Sequence, residues 1–302
     1  MSRLAPVAPS GGRTSIDPDR DATIRRPGHG VGTIARLTLR EARRRRLVLA
    51  VALMGIVFLT LFTIGFYFVH RSAGGSIVGE RPEVWNFFLL TGLYVVNFLT
   101  VVLTVLASVD AIAGEIASGT IQTIVTKPIA RWKIIAGRWL GLAGLVALFV
   151  ALMGAAMIAI VWGLSGYVPP NPVQALALMI LEGMVILSLS ILGGTRMPTL
   201  ANGVVVFMLY ALAFIGGWCE QIGAFLRNAT LANLGIVVSL LAPSEALWRR
   251  AAYLMQPPAI RQLGFGPFAT ATAPSPAMVV YAALYAAVLL WLAVRSFRRR
   301  DL

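Results

Sequence analysis

The run "RRRRLVLAVALMGIVFLTLFTIGFYFV" at residues 43–69 decides the class of fold. Four arginines are followed by an apolar stretch, 47–69, that contains no charged residue. A helix needs about 20 apolar residues to cross a bilayer, so this stretch is long enough to do so. A membrane β-barrel would instead show short segments of alternating hydrophobicity. The run therefore predicts a membrane protein of the all-α class.

The whole chain repeats this pattern. Its 302 residues are 58% hydrophobic and only 13% charged, whereas soluble domains carry about 25% charged residues. Six apolar runs predict a polytopic protein with six transmembrane helices, at about 47–69, 84–109, 132–162, 173–193, 200–218 and 277–294.

Two different segments precede the first span. Residues 1–30 are rich in Pro, Gly, Arg and Asp without an apolar period, which predicts a disordered cytoplasmic tail. Residues 31–46 interleave apolar and basic residues at helical spacing, which predicts an N-terminal amphipathic helix along the cytoplasmic membrane surface. The transmembrane domain is thus expected over 31–302.

The connection between the fifth and sixth spans, 219–276, is long and is predicted to be an outer loop. Asn and Gly interrupt its apolar stretch 231–243, so we expect a surface or re-entrant helix there rather than a seventh span. Residues 242–258 predict another short amphipathic helix, with Ser244 as its cap and Pro257 and Pro258 after its end.

Basic residues set the expected orientation. The net charge of +14 could suggest nucleic acid, but eleven of the 26 Lys and Arg residues lie before residue 47, beside the first span. With six spans and a cytoplasmic N-terminus, 20 basic residues fall inside and 6 outside. The positive-inside rule favours this orientation, with both termini cytoplasmic and no nucleic-acid partner.

The loop 110–131 is the one sizeable cytoplasmic loop between spans, and "EIASGTIQTIVTKPIAR" (115–131) has a readable pattern. Gly119 interrupts a helix, Thr120 can cap a new one, and Pro128 ends it. Ile121, Ile124 and Val125 then form one apolar face of that short helix. This face either lies on the lipid surface or fits a groove on a partner protein, and the residues alone leave both open.

Three motifs carry a resemblance: E-x-x-x-G-T at 115–120, K-P-I-A-R-W at 127–132 and G-R-W-L-G at 137–141. They resemble the signature loop of permease subunits of ATP-binding cassette (ABC) transporters of the type-2 export class. The residues that match are Glu115, Gly119, Thr120, Pro128, Arg131 and Gly137. The ending "SFRRRDL" (296–302) is similar to that of many such permeases.

The resemblance implies a non-enzymatic permease of an exporter in the bacterial inner membrane, acting as a homodimer with a separate ABC ATPase. The ATPase-coupling helix would comprise Glu115, Gly119, Thr120, Ile121, Ile124, Val125, Pro128 and Arg131. The chain has no G-x-x-x-x-G-K-[ST] motif, which is the loop that cradles nucleotide phosphates. We therefore expect no cofactor in this chain, with ATP and Mg on the partner ATPase.

Glu182 lies near the middle of the fourth run. A carboxylate at that depth costs roughly 2.5–3.5 kcal/mol on insertion scales, so it is a candidate residue of the translocation path. A protonated Glu182 bonding a neighbouring helix is the alternative, and Ser188 and Ser190 nearby are expected to make ordinary helix contacts.

Other classes fit less well. A self-sufficient secondary transporter remains the alternative function, but it would show internal repeats and several ionisable groups at mid-membrane. A membrane hydrolase would need a catalytic pair in the spans. No spacing predicts a metal site, and the single cysteine, Cys219, excludes a disulfide within the chain.

Overall fold

The computed structural model describes residues 30–44, 46–73, 81–117, 130–263 and 274–299. Within these ranges the secondary structure is helical, which confirms the all-α class. The helices are α1 (Gly30–Arg44), α2 (Arg46–Ala73), α3 (Pro82–Ser108), α4 (Asp110–Ala117), α5 (Arg131–Ser165), α6 (Pro172–Gly194), α7 (Thr199–Phe225), α8 (Ala229–Leu241), α9 (Ser244–Met255), α10 (Pro258–Leu263) and α11 (Pro276–Arg298).

The six predicted transmembrane helices are confirmed. Six segments of the described chain are long and apolar enough to cross a membrane: Arg46–Ser72, Pro82–Gly114, Trp132–Ser165, Pro172–Gly194, Thr199–Phe225 and Pro276–Arg298. Several run past the predicted bounds. The clearest case is the fifth span, which the sequence predicts to end at residue 218. Helix α7 continues to Phe225, so residues 219–225 are helical and do not belong to the connection.

Helix α6 is the centre of the bundle. It packs against α3, α5, α7, α9 and α11. In their most apolar stretches α3 is 67% buried and α6 is 61% buried, whereas α2 is only 17% buried. Glu182 and its hydrogen-bond partner Asn97 lie on these two central helices.

The bundle has two distinguishable ends. We call the end that carries α1 the proximal end and the other the distal end. Helices α3 and α6 run in the same direction, from distal to proximal, because Asn97 contacts Glu182 and Ser108 contacts Ser190 further along both helices. Helix α7 starts at the proximal end, and α11 returns there with Ser296 beside Thr195.

The N-terminal amphipathic helix is confirmed as α1, and its inner face contacts protein. It packs along the first turns of α5. Thr38 and Ala42 are buried in this contact, whereas Leu37 is 58% exposed. The apolar face of α1 is therefore divided between the third span and the surroundings of the bundle.

The connection between the fifth and sixth spans differs from the expected surface loop. After a tight turn in which Arg227 has φ of 51°, α8 folds back along the distal half of α7. A bend of 107° then leads into α9. Helix α9 is the expected second amphipathic helix, but nearly all of its residues are buried against α6, α7 and α3. Its cap residue is Pro243, and Ser244 is its first residue.

Glycines allow the close approach of α8 to α7. A Cβ at Gly223 would lie 2.4 Å from the Ala232 backbone nitrogen, and one at Gly235 would lie 2.5 Å from the Glu220 nitrogen. Because these neighbours are backbone atoms, neither position has room for a side chain. The Gly and Asn residues that argued against a seventh span therefore form a hairpin that turns back into the bundle.

Candidate functional site

The predicted coupling segment lies between two described helices, α4 and α5, at the proximal end. Residues 118–129 are outside the described residues, and with them the predicted coupling residues Gly119, Thr120, Ile121, Ile124, Val125 and Pro128. Glu115 belongs to α4 and Arg131 is the first residue of α5, but their side chains are not among those described. The coupling role of this segment remains a prediction.

Next to this segment, α1 is seated in two glycine notches of α5. A Cβ at Gly137 would come within 2.7 Å of the Ile34 side chain, and one at Gly141 would come within 2.6 Å of the Ala35 carbonyl oxygen. Arg138 lies 3.9 Å from Glu41 of α1. Gly144, one turn further, has nothing within 4 Å. Gly137 and Gly141 thus allow α1 and α5 to approach closely, and Gly144 takes no part in this contact.

Glu182 is buried in the centre of the bundle, with 1% of its surface exposed. Its Oε1 accepts a hydrogen bond of 3.2 Å from Asn97 Nδ2 on α3, and its Oε2 has no hydrogen-bond partner in the described chain. Glu182 is thus placed inside the protein, away from lipid. Its role in a translocation path stays a prediction.

Helix α9 brings a second carboxyl group and a guanidinium into the same region. Glu245 is 4% exposed and Arg249 is 2% exposed. Arg249 Nη2 donates to Glu220 Oε2 on α7 at 2.6 Å, and this ion pair joins the hairpin to the fifth span. Glu245 packs against Gly217, where an added Cβ would lie 2.6 Å from the Glu245 side chain.

Aromatic rings pack beside the polar cluster formed by Glu182, Glu220, Glu245 and Arg249. The ring of Tyr94 on α3 lies 5.5 Å from that of Trp248 and 6.3 Å from that of Phe214. Trp248 is 3% exposed. The rings exclude water from the carboxyl groups, which strengthens every electrostatic interaction inside the cluster.

Of this cluster, only Glu182 could be singled out from the sequence. Glu220, Glu245 and Arg249 fall in the connection 219–276 that the sequence predicts to be an outer loop, and the structure shows Glu245 and Arg249 buried in the bundle. No local signal could have found them. Glu245 and Arg249 are four residues apart and share one face of a short helix, a pattern that by itself indicates a solvent-exposed face.

Near the distal end, Asn86 joins three elements. Its Nδ2 donates to the Tyr167 hydroxyl at 3.0 Å and to the Met255 carbonyl at 2.7 Å. The second bond satisfies a carbonyl at the C-terminal end of α9, which has no partner within its own helix. Burial raises the pKa of Tyr167 to about 12, so its hydroxyl stays neutral and accepts from Asn86.

Serines make the expected helix contacts in the proximal half. Ser190 Oγ accepts from Ser108 Oγ at 2.7 Å, and Ser188 Oγ accepts from Trp139 Nε1 at 2.9 Å. Asn202 Nδ2 donates to the Ser190 carbonyl at 2.9 Å. These bonds tie α6 to α3, α5 and α7, so the two serines have a packing role.

An apolar groove of about 570 Å³ lies between α3 and α7 on the outside of the proximal half, lined among others by Leu106, Leu200 and Phe207. Leu200, Val204 and Met208 form an exposed stripe along α7 beside it, and Leu200 is 81% exposed. Residues four apart share one helix face, so these three side chains form one continuous, largely exposed apolar face along the groove.

Comparison with known proteins agrees with this architecture. The family described as "ABC-2 family transporter protein" matches residues 33–302. A "Probable ABC transporter permease protein NosY" of Pseudomonas aeruginosa is 32% identical over 124 residues, which are 41% of this chain and 42% of that protein. Its counterpart in Stutzerimonas stutzeri is 30% identical over the same shares. An "Uncharacterized protein YhcI" of Bacillus subtilis is 24% identical, over 57% of this chain and 50% of that protein. The matches thus span about half or less of the length of these relatives.

Proposed function

The chain belongs to the ABC-2 family of transporter proteins, and from this premise we propose that it is the membrane-spanning permease subunit of an ATP-driven exporter. It is a multi-pass membrane protein with six spans. A separate ABC ATPase would supply the energy and hold ATP and Mg. Similarity to proteins named as probable ABC transporter permeases supports the proposal.

The positions of α4 and α5, the two helices that flank the predicted coupling segment in the sequence, carry the proposal. The end of α4 and the start of α5 lie at the proximal end, where α1 is seated in α5. A force on the segment that joins them would be passed to α5. We propose that Ile121, Ile124 and Val125 enter a groove on the ATPase.

We propose that the proximal end faces the cytoplasm of a bacterium and that the protein resides in the inner membrane. The basic side chains of Arg295, Arg298 and Arg299 at the end of α11 and of Arg46 at the start of α2 lie at this end. Such clusters favour the cytoplasmic side. The relatives named above are bacterial proteins, which agrees with this location.

The functional unit would be a homodimer. The stripe of Leu200, Val204 and Met208 beside the apolar groove is a continuous face that a second copy could cover. Substrate would then pass along a path between the two copies, as the ATPases open and close. Cysteine replacements at Met208 in a chain without Cys219 should crosslink two copies, whereas replacements at Leu53 on the lipid-facing side of α2 should not.

The secondary transporter is the competing function, and the buried cluster around Glu182 supplies the ionisable groups that such a transporter needs. Family membership favours the ATP-driven permease. The ATP-driven permease and the secondary transporter can be told apart by experiment, because only the permease needs an ATPase bound at residues 118–129.

A photoreactive residue at Ile124 tests the proposal in cells. It should capture an ATPase of the ATP-binding cassette type, identified by mass spectrometry. The matched control is the same residue at Val173, which is 78% exposed but lies at the distal end, and it should capture no ATPase. Capture of lipid alone at Ile124 would favour the surface location of this helix and the secondary transporter.

A further inference from the structure

Three helices bring ionisable groups together inside the bundle. Glu182 comes from α6, Glu220 from α7, and Glu245 and Arg249 from α9. Glu182, Glu245 and Arg249 are each at least nine-tenths buried, and the Glu220 side chain is only 12% exposed. With all four groups ionised the cluster would carry three negative charges against one positive charge.

The three carboxyl groups do not share the positive charge of Arg249 equally. Arg249 is bonded to Glu220 and lies one turn from Glu245 on the same face of α9. Glu182 has only the neutral amide of Asn97 as a hydrogen-bond donor. Glu182 and Glu245 are close enough to act on each other as like charges. One guanidinium therefore serves three carboxyl groups.

Two carboxyl oxygens in this cluster have no partner in the part of the chain that the structure describes, Glu182 Oε2 and Glu245 Oε2. A buried carboxylate normally accepts hydrogen bonds at both oxygens. No group of three or more His, Cys, Asp and Glu side chains among the described residues is arranged to hold a metal ion. A proton on each carboxyl group would remove the negative charge at these oxygens without any further ligand.

We propose that Glu182 and Glu245 form a proton-binding site, in which each carboxyl group holds one proton while Glu220 and Arg249 remain an ion pair. Two protons balance the remaining charge of the cluster. They also need no additional space, which agrees with the tight packing of Gly217 against Glu245 and of Val146 against Gly183.

The titratable and charged groups that face this site are few. Tyr94 faces it from α3, Tyr210 and Glu220 from α7, and Arg249 from α9. Arg249 is the one cation among these groups, and Glu220 already holds it. No other cation in this set could keep both Glu182 and Glu245 ionised.

Helix α9 packs against α6, which carries Glu182, and itself carries Glu245. Movement of α9 away from α6 would admit water, and both carboxyl groups would then ionise and release their protons at the distal end. Proton binding and the position of the α8–α9 hairpin would be linked by this exchange.

Infrared spectroscopy of the purified full-length protein in lipid nanodiscs tests the proposal. A protonated carboxylic acid shows a carbonyl stretching band that a carboxylate lacks. Wild-type protein should show this band at neutral pH, and it should shift in deuterium oxide. E182Q and E245Q should each remove a component of the band, and the double variant E182Q/E245Q should remove both. E83Q, at the distal start of α3, should leave the band unchanged.

Glutamine has the shape of a protonated glutamic acid, so these variants should fold like the wild type. A second measurement uses stability. Because the folded protein binds protons that the unfolded chain releases, the melting temperature of the wild type should fall as pH rises, and the double variant should lose this dependence. Absence of the band in folded wild-type protein would overturn the proposal. A band that E245Q leaves at full intensity would overturn the assignment to a pair.

Discussion

The Nη2 atom of Arg249 on α9 lies 2.6 Å from Oε2 of Glu220 on α7, inside the bundle, although the two residues are 29 positions apart in the sequence. This ion pair fixes α9 against the end of the fifth span. A buried guanidinium is costly unless it is paired. Removing only one of the two charged side chains would therefore leave the other buried without a counter-charge and would weaken the attachment of the hairpin.

Arg249→Met should destabilise the protein strongly. The change leaves Glu220 as an uncompensated charge in the interior, which costs about 3–5 kcal/mol when one partner of a buried pair is removed. Thermal unfolding of the purified protein measures the loss. The double variant R249M/E220Q carries no charge at either position and should recover most of the stability. Equal melting temperatures for R249M and the wild type would contradict a stabilising role of the pair.

Gly141→Leu should detach α1 from α5, because the new side chain meets the Ala35 carbonyl at 2.6 Å already at its Cβ. Gly144→Leu is the matched control, since Gly144 has open space around it. A cysteine at Thr38, which is 5% exposed, reports the contact in a chain without Cys219. It should react with a water-soluble maleimide in the G141L background and stay protected in the G144L background. Protection in both backgrounds would count against the glycine notch.

Asn86→Leu should lower stability by about 1–3 kcal/mol, because the Met255 carbonyl and the Tyr167 hydroxyl each lose a hydrogen bond in the interior. Thr91 lies five residues further on α3, is partly exposed, and bonds only the Phe87 carbonyl of its own helix. Thr91→Ala should therefore change stability by no more than about 0.5 kcal/mol. Melting temperatures of both variants compare them directly, and equal effects would contradict a special role for Asn86.

Ile121→Asp combined with Ile124→Asp should abolish association with the ATPase while the permease still inserts and folds. Two charges on the apolar face would have to be desolvated in the proposed groove, and that cost disrupts binding. Copurification of the ATPase measures the effect, and the amount of folded permease in the membrane is the control. Unchanged copurification would show that the short helix is not the contact.

The six spans could be predicted because each is a long apolar run, and length alone decides whether a helix can cross a bilayer. The helix at 244–255 could also be predicted from its end signals. Its burial could not, because Glu245 and Arg249 indicate a solvent-exposed face when they are considered alone. Their partners, Glu220 and the packed aromatic rings, lie on distant parts of the chain, and only the folded bundle brings them together.

The same limit applies to the candidate sites. Glu182 could be singled out because a carboxyl group in a span is unusual by itself. Asn86 and Asn97 could not be singled out in this way, since an uncharged amide in an apolar run does not by itself indicate a functional site. Their importance depends on what they contact, namely the end of α9 and the Glu182 carboxyl group.

The hairpin of α8 and α9 has a practical consequence for topology mapping. Both of its ends lie at the distal end of the bundle, since it follows Phe225 and finishes at Met255 beside Asn86. Together the two helices are apolar enough to be counted as a seventh span by composition. Reporter fusions placed at 227 and at 257 should nevertheless report the same compartment, and hydropathy counting that scores the hairpin as a crossing would assign the C-terminus to the wrong side.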